Sequence, residues 1–178
     1  MGDDLVSYGA VVLAGGRAAR LGGFDKASAE IGGRTLLELA LDAVVDAAEV
    51  VVVGEQVPTE RPVSFVLESP RFGGPVAALL TGHDLLLRTT PLVVVIAVDM
   101  PRIDHTTIRR LCAAATADEG STARDGAVLV GPDGRRQLAL ALRRERLDAV
   151  RPDLEGQHGM PVHALLADLA LVEVPAVA

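Results

Sequence analysis

A chain of 178 residues, 49% of them hydrophobic, has the length of one α/β domain and enough apolar side chains for a sizeable core. Only 2% of residues are aromatic and tryptophan is absent, so that core must be built from alanine, valine and leucine. A net charge of −7 argues against general nucleic-acid binding, which depends on clustered cations.

The amino end, Met1-Gly2-Asp3-Asp4, is acidic where a signal peptide would be basic. Ala10 to Ala14 reads as a buried strand. It breaks into a loop, Gly15 to Lys26, that holds four glycines, two arginines and a lysine. Glycine lets a backbone approach a ligand closely, and bare amides beside cations suit a phosphate chain. The segment therefore predicts a nucleoside triphosphate site, the plain alternative being a surface loop whose glycines only turn the chain. The spacing excludes two common phosphate loops. Lys26 is followed by Ala27, so the Walker hydroxyl is missing, and Gly15-Gly16-Arg17-Ala18 does not supply Gly-x-Gly-x-x-Gly.

Thr35-Leu36-Leu37-Glu38 has the form of a capping box opening a helix to about Ala47, with Leu36, Leu39, Ala40 and Ala43 along one face. Val50 to Val53 predicts a strand ending at Gly54, and Ser64 to Leu67 a shorter one. Pro75 fits the first turn of a helix to about Leu87. Leu92 to Val98 is a continuous apolar run, as a strand buried on both faces requires, and is far too short to cross a bilayer. A helix from about Thr106 to Ala117 carries the single cysteine, Cys112. One thiol allows no internal disulfide, reads as a buried small side chain, and fits a reducing cytoplasm.

Ala117 to Gly126 is polar and small in composition and reads as the mobile loop of the chain. Ala127 to Val130 and Leu138 to Leu142 flank Gly131-Pro132-Asp133-Gly134, a hairpin signal. Val162 to Leu169 reads as helix and Leu171 to Val174 as a last strand. This order implies an α/β fold: a Rossmann-like three-layer sandwich, its mostly parallel sheet covered by helices on both faces and broken by one antiparallel excursion. No repeat or interdomain linker divides residues 1–178, which read as one domain.

Asp99 follows the apolar run, at the strand edge where open α/β sheets place ligands. A carboxylate there can hold a Mg²⁺ that bridges phosphate oxygens, since Mg²⁺ takes only one or two protein carboxylates. The alternative is a cap on the turn before Pro101. Lys26 offers a compact charge and Arg20 a fork for two oxygens, against ordinary solvated charge; Arg17 divides evenly between the two. Asp25 could orient either by an ion pair. His158 and His163 are five apart, which is not the spacing of a helical metal pair.

Leu13-Ala14-Gly15-Gly16, followed by Arg20, Gly22, Asp25 and Lys26, resembles the signature of the nucleotidyltransferases that include molybdenum cofactor guanylyltransferases (MobA-like proteins). Glu68 to Leu79, with Gly74-Pro75 before Val76-Ala77-Ala78-Leu79, is similar to that family's Gly-Pro-Leu-Ala-Gly element. Val98-Asp99-Met100-Pro101 is similar to its Cys-Asp-Met-Pro. The resemblance spans most of the chain and thins beyond about Asp104. It implies that Leu13, Ala14, Gly15 and Gly16 surround the nucleotide base, that Arg20 and Lys26 face its phosphates, and that Asp99 binds magnesium. It also implies nucleotide contacts at Gly74 and at the position of Ser69, where relatives commonly carry an aspartate. Gln137 corresponds loosely to a position near the acceptor. Relatives close with Asp-x-Asp/Asn-Thr-Pro-Glu, which helps complete their metal site. Here the sequence reads Val174-Pro175-Ala176-Val177-Ala178 about where that element should begin. A longer natural chain, a metal held by Asp99 and substrate oxygens alone, and a loss of turnover all agree with this.

What the resemblance implies about activity is a Mg²⁺-dependent transfer of GMP from GTP to molybdopterin in the cytoplasm, with pyrophosphate released. No membrane or nucleic-acid partner is expected, only transient contact with other proteins of cofactor biosynthesis. Two alternatives stand beside it: the same chemistry with CTP or with a sugar or polyol phosphate, and a nucleotide-binding homologue without turnover.

Overall fold

The computed structural model describes residues 5–15, 20–21, 24–25, 28–68, 73–100, 102–117 and 124–177, with the backbone alone described for 20–21 and 24–25. A seven-stranded sheet is built from β1 (Tyr8–Leu13), β6 (Glu49–Val53), β7 (Ser64–Val66), β8 (Leu92–Ala97), β9 (Gly126–Val130), β10 (Arg136–Arg143) and β11 (Leu171–Pro175). Two small two-stranded pairs complete the strands: β2 (Arg20–Leu21) with β3 (Phe24–Asp25), and β4 (Glu30–Ile31) with β5 (Arg34–Thr35).

The sheet order is β11-β9-β10-β8-β1-β6-β7. β1 pairs parallel with β6 and β8, and β6 pairs parallel with β7. β10 runs antiparallel to both β8 and β9, while β11 returns parallel to β9. Only β10 is reversed, which is the antiparallel excursion that the Gly131–Gly134 turn predicts. The expected α/β class is the observed one.

Alternation along the strands supplies both faces of the sheet. Ala10 and Val12 of β1 face one layer and Val11 the other. The first layer holds α1 (Leu36–Ala43) and α3 (His105–Thr116). The second holds α2 (Pro75–Leu85), α4 (Arg144–Val150) and α6 (Val162–Leu166), with the single turn α5 (Leu154–Gln157) before α6. Gly82 lets α2 lie close on the sheet, because a Cβ there would come 2.5 Å from Val11 Cγ1. His83 Nε2 and Asp148 Oδ1, 2.9 Å apart, tie α2 to α4.

Local signals explain most boundaries. The Thr35 hydroxyl accepts from the Glu38 amide and the Glu38 carboxylate accepts from the Thr35 amide, a complete capping box. The buried face of α1 is Leu37, Ala40, Leu41 and Ala43, so Leu36 and Leu39 sit half-buried at its margins. The helix ends at Ala43 rather than near Ala47. Arg61 donates to the carbonyls of Leu41, Val44 and Ala47 and so satisfies backbone acceptors at and just after this helix end. α3 begins one residue before the expected Thr106, with Asp104 as its cap accepting from the Thr107 amide at 2.9 Å. Cys112 is buried in this layer, and burial pushes its thiol up to about 12. The expected loop Ala117 to Gly126 lies mostly outside the described residues.

Candidate functional site

Parallel strands deliver their carboxyl ends to one edge, and that edge gathers the polar and glycine-rich turns. Hydrogen bonding continues past the strands there. The Ala14 amide donates to Val53 carbonyl at 2.9 Å, the Val98 amide to Leu13 carbonyl at 3.1 Å, and the Gly54 amide to Val66 carbonyl at 2.8 Å. Leu13 and Ala14 are thereby pinned between β6 and β8. Leu13 is half-buried, Ala14 buried and Gly15 exposed, so the chain emerges at Gly15. A Cβ on Gly15 would stand 3.3 Å from the Gly54 Cα, which makes bare backbone the closest-fitting choice.

Beyond β7, Gly74 adopts φ +96°, a conformation that favours glycine, and opens α2 with Pro75 in the first turn. Among the described residues no side chain caps this helix start. Its backbone is held from a distant part of the chain: the Gly159 amide donates to the Gly73 carbonyl at 2.6 Å, and Gly159 packs against the face of Gly74. Sequence reading misses this buttress, whose one local signal is Gly159 itself, at φ +72°.

Beyond β8, Asp99 lies in the turn that leads to α3 and is exposed. It lines a cleft of about 510 Å³ together with Met100, Arg102, Leu129, Gln137 and Val177. Gln137 enters from β10, and its amide covers Gly131, where any Cβ would collide with it. Ala176 donates to the Val130 carbonyl at 2.8 Å and so carries the residues after β11 to the same cleft. Among the described residues no group of three or more His, Cys, Asp or Glu side chains is arranged to hold a metal. Asp99, exposed on the cleft and bearing hard oxygen donors, fits an ion such as Mg²⁺ that takes most of its ligands from phosphates and water.

Residues 10–174 match the MobA-like NTP transferase domain. The chain belongs to that family. It is 32% identical over 117 residues to a molybdenum cofactor guanylyltransferase of Bradyrhizobium sp. (strain ORS 278), covering 61% of this chain and 55% of that protein. Identity is also 32% over 139 residues to the enzyme so named in Mesorhizobium japonicum, covering 74% and 64%. The matched regions thus span less than two thirds of these relatives. Among solved structures, molybdopterin-guanine dinucleotide biosynthesis protein A from Archaeoglobus fulgidus superposes with a TM-score of 0.65 at 20% identity, covering 94% of this chain and 83% of that one, a likeness of fold.

For a MobA-like chain the expected site residues divide clearly. Leu13, Ala14, Gly15, Gly74 and Asp99 lie at the one carboxyl edge. The backbone of Arg20 in β2 pairs opposite Asp25 in β3. Gly16, Arg17, Lys26 and Ser69 lie outside the described residues. His158 ends α5 and His163 falls within α6. No helix among the described residues is long and apolar enough to cross a membrane.

Proposed function

We propose that this protein transfers GMP from GTP to the phosphate of molybdopterin, releasing pyrophosphate. The observation that carries the reading is the shared edge: the Leu13–Gly15 turn, pinned between β6 and β8, and Asp99 at the end of the neighbouring strand. The names of the relatives supply the substrate pair. The closely packed backbone of Leu13, Ala14 and Gly15 surrounds the base, and Gly16, Ser69 and Gly74 are assigned as further nucleotide contacts. Mg²⁺ bound at Asp99 and phosphate oxygens would screen charge on the triphosphate and the departing pyrophosphate.

An oxygen of the acceptor phosphate attacks the α-phosphorus and forms the new P–O bond. The bond to the α–β bridging oxygen breaks, and pyrophosphate leaves with that electron pair. Lys26 is assigned to the phosphate under attack and Arg20 to the leaving pyrophosphate portion. No covalent nucleophile is needed, because aligning two polyanions and offsetting their repulsion is the larger part of phosphoryl-transfer catalysis. The reaction belongs in the cytoplasm.

Pyrophosphate release from each of the four triphosphates, with molybdopterin and Mg²⁺ present, tests the reading. Release with GTP above the other three is expected. Preference for CTP would move the activity to cytidylyl transfer, and no release with any nucleotide would leave a binding protein without turnover.

A further inference from the structure

We propose that Arg102 binds the phosphate of the acceptor, as a guanidinium clamp on the acceptor side of Asp99; the assignment rests on the transfer reaction proposed above. Sheet order separates two halves of the carboxyl edge. The Leu13–Gly15 turn, Gly54 and the start of α2 belong to β1, β6 and β7, on one side of β8. The 510 Å³ cleft opens on the other side, walled by residues at the ends of β9, β10 and β11. Asp99 stands at the junction.

The cleft is amphipathic. Met100, Ile103, Leu129 and Val177 give it apolar walls, and Val177 is 77% exposed. Such a wall beside a cation suits a flat heterocycle that carries an anion. The cation is Arg102. Its side chain is exposed and makes no hydrogen bond or ion pair with a protein group among the described residues, although Asp99 and Asp104 lie close along the chain. Asp104 is engaged with the amide and hydroxyl of Thr107, which hold its carboxyl below the usual range. Asp133 accepts from the Arg135 amide, and Glu173 from Arg136. Arg109, Arg146 and Arg151, by contrast, are paired with Asp46, Asp125 and Asp84. A guanidinium with no partner among the described residues, on the wall of a cleft that Asp99 also lines, is matched by a phosphate monoester, which can accept two parallel N–H bonds from it.

Such a contact is made equally before and during attack, so its loss should weaken acceptor binding without slowing the bound complex. The test is steady-state kinetics of Arg102→Ala and Arg102→Lys, varying molybdopterin at saturating GTP and then the reverse. Arg102→Ala should raise the KM for molybdopterin at least about tenfold, leave kcat and the KM for GTP within about twofold, and leave the melting temperature unchanged. Arg102→Lys should fall between, keeping the charge and losing the fork. An unchanged molybdopterin KM in Arg102→Ala, with the unmodified protein active, would overturn this assignment alone. A raised GTP KM in its place would put the guanidinium on the donor triphosphate and overturn it too. Absence of transfer by the unmodified protein would overturn the reaction and the clamp together.

Discussion

Gly54 packs its backbone on that of Ala14: a Cβ added at Gly54 would lie 3.2 Å from both the carbonyl carbon and the Cβ of Ala14. This contact fixes where the glycine loop leaves the sheet, next to the Ala14–Val53 hydrogen bond. Gly54→Ala must therefore push the loop outward by a few tenths of an ångström. A small displacement of a binding turn is felt in affinity, and we expect the KM for GTP to rise on the order of tenfold with little change in far-UV circular dichroism. A KM equal to that of the unmodified protein would mean the loop does not touch the nucleotide.

Asp99→Ala should abolish magnesium-dependent transfer, by on the order of a hundredfold or more, while the fold survives. Its exposed position in a turn gives it no part in the buried core. Pyrophosphate release and circular dichroism measured on the same sample separate the two effects. Near-normal turnover would leave Asp99 as a turn residue.

Lys26 and Arg20 should differ in kind. In the proposed reaction Lys26 acts on the phosphate under attack, where charge develops, so Lys26→Ala should lower kcat more than it raises KM. Arg20→Ala should weaken GTP binding as well. A Lys26 variant with unchanged kcat and only a higher KM would reduce the lysine to a binding contact.

Among the described residues, Asp84, Asp46 and Asp104 are carboxyls held below their usual range. Asp84 accepts two hydrogen bonds from Arg151 at 2.6 and 2.8 Å, and these hold its carboxyl below the usual 3.8. The Arg109 side chain does the same for Asp46, and the Thr107 amide for Asp104. A carboxyl whose folded pKa is depressed contributes stability that is complete above its unfolded pKa and is lost as pH falls through the folded one. The urea midpoint should therefore change little between about pH 7 and 5 on account of these groups and fall below about pH 4. Asp84→Asn should make the fall shallower, and an identical acid profile would assign the loss to other groups.

Cys112 supplies a check on the core. With its thiol pushed up to about 12 by burial, it should resist iodoacetamide at pH 8 in the native protein and react once the chain is unfolded in urea. Rapid native labelling would show that the α3 layer opens readily.

The parts of the fold that could be read in the sequence are those whose signal is local. Val50–Val53 and Leu92–Val98 are apolar throughout because strands covered on both faces must be, and Thr35–Glu38 and Pro75 mark helix starts by capping chemistry. α4 escapes notice because its Arg-Glu-Arg opening leaves Leu147 as its only fully buried residue, too little for a stripe. α5 is one turn, started by the Asp153 side chain. At the site, Asp99 is legible from its place after an apolar run. The Gly159 contact with Gly73, and the meeting of Gln137 with Asp99 and Arg102, are not, since they depend on the pairing of β10 with β8 and on packing between distant segments.

The most direct measurement follows the α-phosphate. Protein incubated with molybdopterin, Mg²⁺ and GTP labelled at either the α or the γ phosphorus is resolved by chromatography. Label from the α position should enter a molybdopterin guanine dinucleotide, while γ label appears only in pyrophosphate. Retention of α label in GTP or GDP, with no dinucleotide formed, would contradict the proposed transfer.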